Sequence, residues 1–327
     1  MARVFIDGFE SGNCNAWDDF GSNALVAGTY KYNGNYGVYL QNSTIAFVRK
    51  FIPSTSTLYC AFKYNASTGN RGLCSWGETG VNHTNIYMTD SGGKAYFEAR
   101  RASTILANSL PYYVIHNTWY LVEVYVYIHD TSGRFQIKVD GITVLDFTGD
   151  TRNAGTGVIT QFCMGYDSLI GSAATAYIDD VVLDDANWIG DTAVLGLSPD
   201  GAGATTQWDP STGSNYACVD EVPQSDTDYV STNVNDEIDT YTLANLPTVQ
   251  SVKAVQVMAR ARKEGVSTPQ NIALVARIGG TDYPSSDHAL STAFIGHTNL
   301  WENNPNTAAA WTESEVNSLQ AGVKSRA

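Results

Sequence analysis

The feature that most narrows the fold of this chain is the density of short, β-prone stretches in its first 188 residues. Arg3–Asp7, Gly37–Gln41, Ala46–Phe51, Thr57–Tyr64, Arg71–Trp76, Asn85–Thr89, Ala95–Arg100, Trp119–His129, Arg134–Val139, Ile142–Thr148, Gly157–Met164 and Ala176–Leu183 read as strands. Gly, Asn, Asp and Ser separate them, and side chains alternate with period two rather than recurring every three or four residues. A chain patterned this way closes into two packed antiparallel sheets. The hairpin FQIKVDGITVLDF is the clearest unit, with Asp140-Gly141 supplying the two positive-φ positions of a tight turn. The preceding run WYLVEVYVYI suits a central strand, and His129–Gly133 is the turn that leaves it.

The segment AYIDDVVLDD (176–185) ends this first region. Strict alternation places Ile178, Asp180 and Val182 on one side and Tyr177, Asp179, Val181 and Leu183 on the other. Carboxylates in mid-strand are costly unless solvated, hydrogen-bonded or bound to a cation. The Pro/Gly-marked stretch 190–212 reads as a link, with Asp200-Gly-Ala-Gly a turn within it. The second region has fewer strand candidates: Tyr216–Val219, Asp239–Leu243, Val249–Lys263, Asn271–Ile278 and Ala289–Ile295. Thr312-Glu-Ser-Glu315 has the spacing of a capping box and opens a short helix to about Gln320, stopped by Gly322. The sequence therefore predicts an all-β protein of two tandem antiparallel β-sandwiches. Residues 1–188 form the larger, and residues 189–327 form a smaller one with a short C-terminal helix.

Charge excludes some partners. The chain carries 19 Lys and Arg against 33 Asp and Glu, and no cation lies between Asn153 and Val252. Such a surface repels phosphate backbones, so no direct nucleic-acid binding is expected. No apolar run approaches the ~20 residues that span a bilayer, which argues against membrane insertion. The opening MARVFIDGFESG has neither the basic start nor the apolar core of a secretory signal, so synthesis in a cytoplasm is expected. Cys14, Cys60, Cys74, Cys163 and Cys218 are scattered and odd in number, which fits buried free thiols. The acceptor-like triplets at Asn42, Asn65 and Asn82 then have no glycosylating compartment.

The text FIDGFESGNCNAWD, then WYLVEVYVYIHDTSGRFQIKVDGITVLDFTGDT, then AYIDDVVLDD resembles the concanavalin A-like lectin/glucanase superfamily in its laminin-G-like branch. The resemblance covers a little over half the chain and implies a jelly roll whose first and last strands are neighbours. The remainder, from LGLSPDGAGATTQWDPSTGSNYACVDE through AVQVMARARK to AWTESEVNSLQAGVK, resembles a domain of structural proteins of tailed bacteriophages. It implies a place on the virion surface and no reaction.

With the first and last strands adjoining, Asp7 or Glu10 meets Asp179 or Asp180, a set of hard oxygen donors suited to a structural Ca²⁺. Trp17, Tyr36, Trp76 and Tyr87, with Asn82, Asn85 and Asp90, come from turn-rich stretches and form a candidate glycan-binding surface of aromatic faces and hydroxyl-seeking groups. Against each stands ordinary packing, since aromatics make up 11% of the chain. Glu237-Ile-Asp239-Thr-Tyr-Thr242 falls one carboxylate short of the glucanase set and reads as a solvated acidic turn. No nucleophile elbow, zinc spacing or phosphate loop is present. The chain is thus expected to be no enzyme but a virion structural protein, decorating a capsid or tail lattice and adhering weakly to host-surface glycans through many copies. Trimers suit such a lattice. A tail-fibre receptor-binding lectin and a carbohydrate-active enzyme of the same superfamily are the alternatives, with a free bacterial surface lectin behind them.

Overall fold

The computed structural model describes residues 3–41, 45–68, 71–91, 94–109, 114–166, 175–266 and 269–327. The triplet beginning at Asn42 lies outside the described residues. The chain is almost entirely β and divides into two units, Met1–Val194 and Leu195–Ala327. The segment 189–194 therefore belongs with the first unit, six residues beyond the expected boundary.

The first unit is built from two antiparallel sheets. One runs in the order Ile142–Gly149, Gly133–Val139, Trp119–Tyr127, Thr57–Thr68, Thr175–Asp184, Gly37–Leu40 and Ala24–Ala27, with Arg3–Asp7 also paired to Thr175–Asp184. The other runs Thr104–Asn108, Lys94–Arg101, Val81–Ser91, Arg71–Glu78, Ile159–Gly165, Phe47–Thr55 and Asp19–Phe20, with Val114–Ile115 on Lys94–Arg101. First and last strands are neighbours, Asp7 facing Val181. The Asp140-Gly141 turn has φ of 48° and 78° and joins Val139 directly to Ile142. Between the sheets Phe62, Tyr64 and Phe135 meet Trp76, Met88, Phe97 and Phe162, all at most 1% exposed. Burying each such side chain contributes about 1.5–3 kcal/mol before chain entropy is counted.

Strict alternation fails at Asp179–Val182. Asp179 is opposite Lys63 and Val182 opposite Ala61, so Asp180 and Val181 together face one residue of the neighbouring strand. Asp180 takes φ 52° in this bulge. The phase shifts, and Ile178 and Leu183, assigned to opposite sides by sequence, both end in register with the inward Tyr64 and Cys60. An inserted residue of this kind reverses every later side chain.

The second unit has one six-stranded sheet, Pro199–Thr206, Ile238–Leu243, Gln320–Arg326, Asn271–Ile278 and Thr281–Pro284 in order, with His288–Ala289 also on Asn271–Ile278. The ribbon of Val255–Ala261 and Ile295–Trp301 packs Val257 against Ile272, Leu274 and Val323. Several expectations are corrected here. The stretch 199–206 is a strand rather than a link, and Asn215–Cys218 is a 3-10 turn rather than a strand. Residues 290–294 connect two strands instead of forming one. The capping box at Thr312 and Glu315 is formed, but the helix spans only Glu313–Asn317 and Gln320–Arg326 enters the sheet. Val316 and Leu319 close the core over Ile278 and Trp311. No helix among the described residues is long and apolar enough to cross a membrane.

Candidate functional site

Asp7, Glu10, Asp179 and Asp180 do gather at one corner of the first unit, where each carboxyl feels a neighbouring charge. Their oxygens face N–H donors. Asp7 accepts from the Phe9 amide at 2.9 Å and from Trp17 Nε1 at 2.7 Å. Asp179 accepts from the amides of Tyr32, Asn33 and Asp180 at 2.7, 2.9 and 2.8 Å. Asp180 accepts from the Val194 amide and from Asn33 Nδ2. Glu10 takes the amides of Asn35 and Tyr36, an approach that requires glycine at 34, where φ is +59° and a Cβ would lie 2.2 Å from Oε1. Burial pushes Asp7 up to about 7 against the pull of its two donors. Burial and then the Asp180 charge do the same to Asp179, also to about 7.

Calcium requires six to eight oxygens turned toward one point. Here the lone pairs are turned to the loop 31–36, to Val194 and, at Asp7, to Phe9 and Trp17. Among the described residues no group of three or more His, Cys, Asp or Glu side chains could hold an ion. In this arrangement the four carboxylates fasten backbone and do not fit the expected calcium site.

The expected aromatic platform is also not assembled. Trp17 is 3% exposed, packed edge-on to Phe5 at 5.0 Å and stacked on Phe9. Trp76 is fully buried between Phe135 and Phe162. Asn82 and Asn85 are buried, and Tyr36 belongs to the loop held by Glu10. Asp90 is opposite Ala95 and pairs with His116 at 3.3 Å. Sequence marked these residues as polar or aromatic near turns but carried no signal of which sheet face each takes.

Of that set, Asn85 and Tyr87 do share one face of the sheet, Asn85 buried and Tyr87 partly exposed. Met88 and Phe97 point inward, so alternation sends Asn85, Tyr87 and Thr89 outward beside Tyr96, Glu98 and Arg100 of the next strand. Asp19, Arg49, Cys163, Ser75, Asn85 and Arg100 stand side by side across six strands. Glu98 is 5% exposed, receiving Thr89 Oγ1 at 2.7 Å and Arg100 Nε at 2.8 Å. The Arg100 guanidinium lies 3.7 Å above the Tyr87 ring. Asn85 donates through Nδ2 to the Ala102 carbonyl at 2.8 Å and to Asn82 Oδ1, which fixes the amide's orientation. Its Oδ1 is buried and has no partner among the described residues. A carboxylate, a guanidinium, an amide, a hydroxyl and a phenol thus meet on the outside of one sheet. Ser75, Thr89, Glu98 and Arg100 were not singled out by sequence, although the alternation in KAYFEARR places Tyr96, Glu98 and Arg100 on one face.

The outer side of the other sheet is roofed by its own chain. Tyr39 and Tyr177 stack at 5.0 Å with Tyr30 beside them, and Tyr59 and Tyr125 stack at 4.6 Å under Trp188. Lys138 covers Trp188, and Tyr32 lies over Lys63. Past Trp188 the chain is tied down by Gly190 to Glu123, Asp191 to Lys63 and Val194 to Asp180.

In the second unit, the triplet around Asp239 is no solvated turn. Asp239 is fully buried in a strand and accepts Tyr241 Oη at 2.7 Å and Asn215 Nδ2 at 2.8 Å, with burial raising its proton affinity. Its strand face is turned inward, which a short acidic stretch does not reveal. All five cysteines are buried.

No protein-family model matches the chain, and no curated protein matches it in sequence. Solved structures that it resembles include a sialidase, a phage carbohydrate esterase and a domain of an arabinanase. A sialidase matches at TM-score 0.41 and 17% identity, over 57% of this chain but only 19% of the sialidase's own length. A carbohydrate esterase of the Shiga toxin-encoding bacteriophage phi24B matches at 0.41 and 12%, over 56% of this chain and 97% of the other. The fourth domain of an extracellular arabinanase from Geobacillus stearothermophilus, solved with arabinotriose, matches at 0.40 and 11%, over 57% and 95%.

Proposed function

We propose that this protein is a non-enzymatic surface component of a tailed-phage particle, a capsid or tail decoration whose first unit adheres to glycans. The carrying observation is the polar group around Arg100, Glu98, Thr89, Tyr87 and Asn85 on the outside of the second sheet. Asn85 also holds the Ala102 carbonyl, and sugar hydroxyls are bound by such mixtures of donors and acceptors. A shallow face of this kind binds weakly, and many copies on one lattice convert weak contacts into avidity. Glycoside cleavage calls for two carboxyls flanking a bond, one of them held protonated. The carboxyls pushed up to about 7, Asp7 and Asp179, instead hold backbone, and Glu98 is engaged on both oxygens. The placement on a virion rests on the sequence resemblance of the second unit.

Two measurements test the reading. Antibody labelling of purified particles should decorate their surface, and unlabelled particles would remove the virion assignment. Multivalent beads carrying the protein should be retained on a glycan array, and Arg100→Ala should lower that retention about tenfold or more. Equal retention of the variant would remove the glycan-binding face.

A further inference from the structure

We infer that the glycan taken by this face is a neutral one, recognised through its hydroxyl protons, and that carboxylated sugars are disfavoured. The inference rests on the proposed glycan-binding reading of the same face and narrows it to a ligand class.

Three observations carry it. Both arginines of the outward row are already paired, Arg100 with Glu98 and Arg49 with Asp19 at 2.9 Å, so neither offers an uncompensated charge to a uronate. Glu98 sits in the middle of the patch and is 5% exposed, so a second carboxylate would have to compete with it for the Arg100 guanidinium at close range, with little water between. Arg49 Nε, three strands from Asn85, is a buried donor without a partner among the described residues, but beside Glu98 and Arg100 the open hydrogen-bonding capacity is that of an acceptor. Asn85 Oδ1 is buried without a partner among the described residues, while its Nδ2 is fully used. A buried acceptor of this kind gains most from a ligand O–H. A pyranose bears several hydroxyl protons, whereas an ionised carboxylate has none to give. The net charge of −14 adds a longer-range bias against anions that salt would screen.

The test uses the full chain and matched pairs of oligomers: glucose, galactose and mannose oligosaccharides against glucuronate, galacturonate and mannuronate oligomers. Affinity electrophoresis or calorimetry at low and high salt gives the readout. At least one neutral member should bind about tenfold or more tightly than its uronate, with little salt dependence. Glu98→Gln should release Arg100 and raise uronate affinity about tenfold, and the double variant Glu98→Gln/Arg100→Gln should erase that gain. A wild-type protein that prefers uronates would overturn the inference while leaving glycan binding intact. Binding of neither class would overturn the glycan-binding reading together with it. The wild-type comparison needs no variant to fold.

Discussion

The two outer faces of the first unit use the same residue types to opposite ends. On one sheet, Glu10, Asp179, Asp180 and Glu123 accept backbone amides, and aromatic rings stack on one another beneath a strap of chain. On the other, Glu98 is held by a hydroxyl and a guanidinium. A backbone amide cannot leave its carboxylate without moving the chain, whereas a side-chain donor can rotate to a ligand. The identity of the donor, more than the presence of the acid, separates architecture from recognition.

The comparison is most exposed at Asp179. Asp179→Ala would leave three amides without their acceptor, and a loss of about 3 kcal/mol or more is expected in urea unfolding of the first unit. Glu98→Gln/Arg100→Gln, on the opposite face, removes both charges together and should change stability by no more than about 1 kcal/mol. Equal losses on the two faces would erase the distinction.

Titration gives a second, smaller effect. Asp7 and Asp179 start from 3.8 in an unfolded chain and rise to about 7 when folded. Between those values the folded state holds more protons than the unfolded one, so their contribution is fully present below about 4 and lost as pH rises through about 7. Urea midpoints of Asp7→Asn and Asp179→Asn should therefore depend less on pH in that window than the wild type does. An unchanged slope would show that these carboxyls ionise freely in the folded protein. The smallest effect is expected in the second unit, where Asp239→Asn keeps one acceptor for Tyr241 and Asn215 and should cost about 1 kcal/mol.

Much of the strand order follows from residue pattern, because alternation and the Asp140-Gly141 turn act locally. What stayed hidden depends on neighbours distant in sequence. The bulge at Asp180 exists because Asn33 and Val194 satisfy its carboxylate, and neither is close to it along the chain. Residues 199–206 lack the β-branched signature of a strand because Gly203 must pass close to Thr240, where a Cβ would lie 2.4 Å from its carbonyl oxygen. Trp17 and Trp76 look like ligand platforms in a turn-rich text, and only the packing of Phe5, Phe9, Phe135 and Phe162 shows them to be core. Glu98 and Arg100 were visible as outward positions, but their pairing with Thr89 and Tyr87 required the strand register.

The ties of Gly190, Asp191 and Val194 bear on anyone dissecting this molecule. A recombinant fragment cut after residue 188 would strip Glu123, Lys63 and Asp180 of those partners and should be prone to aggregate during purification. Moving the cut to follow Val194 keeps all three, so six residues decide whether the isolated first unit is a usable reagent.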